Sequence, residues 1–365
     1  MNCSDVNNLS VVEKAETAFY SKTERLFITT IMPCVLVIGF LGNVAFLIAV
    51  ARIPRMRTIT NVYLVQVAVC DAFFITVSTS SYMWHYNASP LRFDVAFQSW
   101  VGCFASIFPL LLTYTASLLL LTSVTAERFY AICYPLKLRV IADKKRNTKI
   151  VCIIWITSFI IASYGVLRFS NLHIQCIIWP SDEKPYSSYP KIRKMCLAVH
   201  PIIPVSSEIV QTLPFFLVFP INFYMYSRIV YTLGNRMQTS DDHETRMSGN
   251  PNKVRNQVAR LLIINGLVFF ICQSPSRLAD LHYIIRHLTG AELFSPAFYG
   301  SLVIIGRTLV FINATCNPLI YIGCSPFYRK AIWEGITSLN VQDKRNIFSL
   351  PLSLSLSRHA AKINK

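Results

Sequence analysis

Seven long apolar stretches constrain this chain of 365 residues more than any other feature. A helix of about 20 mostly apolar residues crosses a bilayer core. Because lipid offers no partner for backbone N–H and C=O groups, each stretch must be helical. The sequence therefore predicts an all-α membrane protein, a bundle of seven transmembrane helices. The predicted spans are Ile28–Val50, Val62–Met83, Val101–Val124, Ile150–Leu167, Ile209–Tyr226, Leu261–Ile285 and Phe298–Ile322.

Basic residues fall mainly on one side of the predicted membrane. The net charge of +17 alone would suggest a nucleic-acid partner. With the amino terminus outside, however, the inner segments hold 23 Lys and Arg against 10 in the outer segments, whereas acidic residues divide 7 to 9. This is the positive-inside distribution, and a basic inner face suits anionic lipids. We predict a multi-pass plasma-membrane protein with an extracellular amino terminus, lipid contacts and no nucleic-acid partner.

Residues 1–27 are polar and lack a basic start followed by an apolar core. We predict that they form an extracellular tail without a cleavable signal peptide, that residues 28–336 form the membrane domain with a short amphipathic helix after span 7, and that residues 337–365 form a cytoplasmic tail. Glycan acceptor patterns begin at Asn2, Asn8 and Asn87, all on the predicted outer side.

The cysteines show neither a CxxC pair nor metal-ligand spacing. Four lie outside, where disulfides persist. Cys103 opens span 3, and we predict its bond to Cys196, which is close enough to span 5 to pin the second outer loop over the bundle. Cys176 is the competing partner; it can also stay free or bond to Cys3. No metal site is predicted, and the His residues show no ligand or triad spacing, so an enzyme is not expected.

Asp71 lies in the middle of span 2, where a carboxylate is costly and needs a partner or a polar interior. Candidate partners are Ser117 in span 3, and Asn313 and Asn317, one turn apart on one face of span 7. A protonated Asp bonded to a neighbouring helix is the simpler interpretation. The functional one is a site for a cation, such as a structural sodium ion, or for a proton. No other cofactor is predicted.

Together these residues resemble the rhodopsin-like G-protein-coupled receptors over about residues 28–336. The motifs fall in order on successive spans: Gly42-Asn43-Val44, Asn61, Asp71, Trp100, Cys103, Arg128, Trp155, Phe269, Cys272, Pro275 and Asn317-Pro318-Leu319-Ile320-Tyr321. The resemblance implies coupling to a heterotrimeric G protein at the inner end of span 3. It assigns coupling and activation to Glu127, Arg128, Phe129, Tyr226, Pro275, Pro318 and Tyr321. For Arg128 alone, a snorkelling side chain would be the simpler interpretation.

Within that family, residues 56–64 and 127–136 resemble peptide receptors of the thyrotropin-releasing hormone, neuromedin and ghrelin group. The resemblance implies an extracellular peptide ligand. The candidate ligand-binding residues are Tyr114, Gln273, Arg277, Asp280, Tyr283 and Arg307. Arginine binds carboxylates and carbonyls directionally, although Arg277 and Asp280, three residues apart, can also pair with each other. A lipid or other small-molecule ligand is the alternative. A transporter is disfavoured because no internal repeat is visible.

Three positions depart from the family pattern. Gln273 replaces the usual tryptophan of span 6, Tyr226 lies two residues before the usual tyrosine of span 5, and Arg255 stands where some relatives place an acid that locks Arg128. In the tail, phosphorylation would add acceptors for a basic partner, which implies arrestin and receptor kinases as partners. The candidate positions are Ser349, Ser353, Ser355 and Ser357.

Overall fold

The computed structural model describes residues 3, 5–141, 144–180, 186, 188–240 and 251–337, with the backbone only at 139–141, 144, 236–240 and 251–258. Within these residues seven helices are long and apolar enough to cross a membrane, as predicted. Spans 1 to 7 are the helices Met32–Arg52, Ile59–Ala88, Trp100–Cys133, Lys144–Gly165, Ile203–Ser240, Pro251–Thr289 and Pro296–Cys324. Most extend past the apolar stretches, because adding a residue to an existing helix is easier than starting one.

We call the end of the bundle that carries the amino-terminal segment the outer end, and the opposite end the inner end. At the outer end three strands form a sheet: β1 (Asp5–Asn8), β2 (Asn171–Ile178) and β3 (Ile192–Leu197). β2 and β3 are an antiparallel hairpin in the second outer loop, and β1 lies parallel to β2. The amino-terminal segment is therefore packed onto the loop, an arrangement that the sequence pattern did not predict.

Two disulfides and an aromatic cluster hold this outer cap together. Cys103 bonds to Cys196, as predicted, and Cys3 bonds to Cys176, one of the alternatives left open. Trp179 stacks on Phe19 at 5.7 Å between ring centroids. The other members of this cluster are Leu9, Ala15, Ala18, Leu91, Ile177, Tyr186 and Tyr189. The cap is thus a small apolar core of its own above the spans.

At the inner end a helix from Pro326 to Thr337 follows span 7, as predicted. Its Tyr328 hydroxyl donates to Asn61 Oδ1 at 2.7 Å, and Arg55 pairs with Glu334 at 2.6 Å. Ile336 is 38% exposed. Because 3.6 residues make a turn, Gly335 faces the bundle instead, where a Cβ would lie 2.8 Å from the Ala49 Cα.

Candidate functional site

Three cavities follow one another from the outer end toward the middle of the bundle. We call them the outer, middle and small cavities, with volumes of about 450, 320 and 30 Å³. The outer and middle cavities share Ser78, Tyr82, Leu110 and Arg307 in their walls. The middle and small cavities share Phe74 and Val310. The three cavities therefore adjoin one another along spans 2, 3 and 7, from the cap to Asp71.

The outer cavity is walled partly by the amino-terminal segment, which contributes Tyr20, Glu24 and Phe27, and partly by β3 and the first outer loop. Burial, and secondarily the charges of Asp94 and Glu24, raise the pKa of Tyr20 to about 12. Its phenol therefore stays neutral across the physiological range. The wall is mostly apolar with a few polar groups, which is typical of ligand sites.

Arg307 of span 7 lies where the outer and middle cavities meet. Its guanidinium stands over the Tyr82 ring at 5.7 Å from the centroid. Among the residues that the structure describes, it forms no ion pair with a carboxylate. A half-buried charge without a counter-ion is costly, so this predicted site residue is available to a ligand anion or carbonyl.

Arg277 and Asp280 are paired with each other at 2.9 Å, which is the alternative considered for them. The Arg277 guanidinium also stands over the Tyr114 ring at 4.5 Å, and Thr212 donates to Asp280 at 3.4 Å. Both charged residues line the middle cavity, and Tyr114 lines the small one. Because the charges compensate each other locally, this pair offers a ligand less than Arg307 does.

Tyr283 is not among the residues that line the three cavities, contrary to its predicted place in the pocket. Its ring lies under the Arg168 guanidinium at 4.7 Å and 4.6 Å from the His287 ring. Arg168 also pairs with Glu208. Tyr283 thus belongs to a contact among the outer ends of spans 4, 5 and 6, which depends on tertiary neighbours that sequence spacing does not show.

The small cavity contains the predicted polar cluster. Asn317 Nδ2 donates to Asp71 Oδ2, and Ser117 and Asn313 line the same space. The buried Asn313 Oδ1 and Gln273 Oε1 have no hydrogen-bond partner among the described residues. Hard cations prefer oxygen ligands, and about 30 Å³ suffices for one water-sized group. The oxygen atoms that line the small cavity therefore fit a small cation.

At the inner end, the Arg128 guanidinium is only loosely paired with Glu127, at 3.7 Å. The Glu127 carboxylate accepts from the Thr60 hydroxyl at 2.6 Å instead. Arg128 Nε is buried and has no hydrogen-bond partner among the described residues. Because unpaired buried donors are costly, the Arg128 guanidinium is available to bind a further partner.

Tyr226 reaches the bundle interior although it lies two residues early in span 5. Its hydroxyl forms a 2.9 Å hydrogen bond with the Thr125 hydroxyl of span 3 and faces Gly266 of span 6. Tyr321 is fully buried, 5.1 Å from the Phe46 ring, and its hydroxyl has no partner among the described residues. Tyr226 thus joins three spans at their inner halves.

Some predicted positions are exposed, and others lie outside the described residues. Asn8 and Asn87 are exposed at the outer end. Asn2, the third inner loop at 241–250, the side chain of Arg255 and the tail serines 349–357 lie outside what the structure describes. The main residues missed were Tyr20, Tyr82 and Asp94, whose only sequence signal was their position near predicted outer span ends.

The seven-helix fold and the Glu127-Arg128-Phe129 motif at the inner end of span 3 define a seven-transmembrane receptor. Residues 42–321 match the family model described as 7 transmembrane receptor (rhodopsin family), and the chain belongs to that family. Its members are receptors and not enzymes, which agrees with the prediction.

Curated relatives at about one quarter identity include several peptide receptors. The neuromedin-U receptor 2 of Mus musculus is 24% identical, covering 83% of this chain and 73% of the relative. The thyrotropin-releasing hormone receptor of Gallus gallus is 24% identical, covering 85% of this chain and 78% of the relative. The motilin receptor of Homo sapiens is 25% identical, covering 84% of this chain and 80% of the relative. These are the kinds of receptor that the sequence was predicted to resemble.

Proposed function

We propose that the chain is a plasma-membrane receptor with an extracellular amino terminus, activated by a peptide and coupled to a heterotrimeric G protein. The observation that carries the peptide assignment is the uncompensated Arg307 between two adjoining, mostly apolar cavities. A peptide supplies both apolar side chains for such walls and a carbonyl or carboxylate for the guanidinium. The peptide-receptor names of the relatives support the same assignment.

Signalling would pass to the inner end through two arrangements of the spans. Prolines interrupt spans 5, 6 and 7 at Pro220, Pro275 and Pro318, and such kinks can act as hinges. An opened inner end would give the G protein access to Arg128. Arrestin and receptor kinases are proposed partners of the serine-containing tail, and membrane lipids of the exposed apolar faces of the spans.

A sodium ion is proposed for the small cavity, held by Asp71, Ser117 and Asn313. It would supply a positive charge that compensates the carboxylate within the bundle. Asn317 fixes the orientation of that carboxylate by its hydrogen bond. Among the described residues Asp71 forms no ion pair with a basic side chain.

The test is a calcium and cyclic-AMP response in cells that express the full chain, with a panel of amidated and free-acid peptide hormones. We expect at least one peptide to produce a response that Arg128→Ala removes at equal surface expression. Arg307→Ala should weaken its potency about 10- to 100-fold, the effect of losing a hydrogen bond to a charged group, about 1.5–3 kcal/mol.

The matched control is Arg286→Ala, since Arg286 is an exposed outer arginine paired with Glu292 at 3.5 Å. It should leave potency unchanged. A response only to lipids or other non-peptide ligands, or an Arg307→Ala variant with full potency for the active peptide, would contradict the assignment.

A further inference from the structure

The outer cavity contains two acidic side chains that differ in what they contact. Glu24 uses both oxygens, one in an ion pair with Arg92 at 2.8 Å and one as acceptor for the Ser21 N–H at 3.0 Å. Asp94 uses its Oδ1 to accept the Lys194 N–H at 2.8 Å. Within the described part of the chain, Asp94 forms no ion pair. Asp94 is thus the acidic wall residue that lacks a counter-ion there.

The basic side chains around Asp94 form hydrogen bonds with other groups, although Arg193 Nε has no hydrogen-bond partner among the described residues. Arg193 donates to Gln175 Oε1 at 2.6 Å, and the Lys194 ammonium donates to Gln98 Oε1 at 2.8 Å. His85 Nδ1 accepts the Ala96 N–H. Burial lowers the pKa of Arg193, whereas the Asp94 charge acts in the opposite direction. The Asp94 charge therefore acts on the neighbouring basic groups, but no ion pair neutralises it.

The backbone holds Asp94 in a defined place on the cavity wall. Phe93 has a φ of 65°, a left-handed conformation that is unusual for an aromatic residue. The Arg92 guanidinium covers the Phe93 ring at 4.6 Å from its centroid. On the other side, the Val95 N–H donates to the Lys194 carbonyl at 2.9 Å. Strained residues of this kind persist where neighbours fix them, often at ligand clamps.

We propose that Asp94 binds a cationic group of the ligand, an ammonium or a guanidinium, and so makes the receptor selective for peptides with a basic group. The charges available to a ligand then have opposite signs at two places in the outer cavity, Asp94 in the first outer loop and Arg307 in span 7. A peptide with a basic side chain and an exposed carbonyl or carboxylate matches both. This inference rests on the proposed peptide-receptor function, since it names the chemistry of the ligand for the same cavity.

The competing explanation is that Asp94 only anchors β3 through the Lys194 N–H. Asp94→Asn separates the two roles, because an amide oxygen still accepts that hydrogen bond but carries no charge. Asp94→Glu keeps the charge, and Asp94→Ala removes both properties. Surface expression of each variant is measured by antibody labelling of intact cells.

The probes are amidated pentapeptides with acetylated amino termini from a positional-scanning library, synthesised in pairs with lysine or norleucine at the defined position. Calcium is recorded in cells that express the full chain. The unmodified receptor should prefer the lysine member at one position or more, on the order of tenfold, as expected for a charge-assisted contact. Asp94→Asn should abolish the preference without loss of expression, and Asp94→Glu should retain part of it.

The outcomes are distinguishable. A receptor that responds without any lysine preference, or an Asp94→Asn variant that keeps the preference, overturns the Asp94 assignment and leaves the peptide receptor standing. If Asp94→Asn responds normally and only Asp94→Ala is defective, the role of Asp94 is to anchor β3 and not to bind the ligand. If no library member activates the unmodified receptor, the result counts against the proposed function as well.

Discussion

Gly266 of span 6 provides a direct test of the inner packing. In Gly266→Ala the new methyl group would meet the Tyr226 hydroxyl first, with the ring carbons Cζ and Cε2 at 2.6 and 3.2 Å behind it. Tyr226 is buried, so it cannot swing into solvent. Either its ring moves away from Thr125, or spans 5 and 6 separate slightly.

The expected cost follows from three contributions. Overpacking a close contact costs about 1–3 kcal/mol, and this contact belongs at the upper end because the new Cβ would overlap the hydroxyl and lie 2.6 Å from a ring carbon of a buried tyrosine. Loss of the Tyr226–Thr125 hydrogen bond adds about 1 kcal/mol. Alanine returns about 1 kcal/mol of helix propensity. The net destabilisation is about 3 kcal/mol, whereas Gly234→Ala, with no atom within 4 Å of its Cβ, should gain about 1 kcal/mol.

The assay measures the thermal unfolding midpoint of the purified receptor in detergent. Unfolding is monitored through the reactivity of the buried cysteines. For domains of 150–250 residues each kcal/mol shifts the midpoint by about 2–4 °C, so the two variants should differ by about 10 °C. Tyr226→Phe should cost less in the Gly266→Ala background than alone, because there it also removes the hydroxyl that clashes with the new methyl group. Equal midpoints for Gly266→Ala and Gly234→Ala would refute the reasoning.

Three further variants test the other sites. Arg128→Ala should keep peptide affinity within a few fold in the absence of G protein and remove the second-messenger response; normal signalling at equal expression would contradict the inner-face assignment. Asp71→Asn should change the effect of sodium on agonist binding, because it removes the carboxylate of the small cavity; identical sodium titrations would leave Asp71 a structural role. Cys103→Ser should sharply lower surface expression, since closing a long loop contributes a few kcal/mol, whereas Cys176→Ser should be mild because the strands and aromatic cluster of the cap remain; equal losses would argue against this ranking.

The bundle and its polar cluster were predictable from sequence for one physical reason. Lipid penalises polar groups strongly, so apolar length marks the spans and a lone Asp71 marks a polar interior. Asn317 was one of three candidate partners, with Ser117 and Asn313, and the structure contains its hydrogen bond to Asp71. Helix ends were less predictable because hydropathy reports the lipid boundary and not where backbone hydrogen bonding stops.

The outer cap could not be predicted from the sequence by any such rule. The segment Asp5–Asn8 has no alternating apolar pattern, and it becomes a strand only because β2 offers an open edge. Asp94 lies in a loop, where no periodicity points to a cavity. The rings around Tyr283 depend on Arg168, more than a hundred positions away. Each of these contacts joins segments that are distant along the chain, so a local sequence pattern cannot predict them.

The bond between Cys3 and Cys176 has a consequence for biosynthesis. The two thiols are separated by 173 positions, and four spans must enter the membrane before the second one emerges beside the first. Until then the amino-terminal strand has no edge to pair with, and Cys3 is open to wrong partners. Oxidative quality control of this receptor should therefore act late, after span 4 is inserted. An antibody against the mature cap would recognise a discontinuous epitope, and immature chains would not display it.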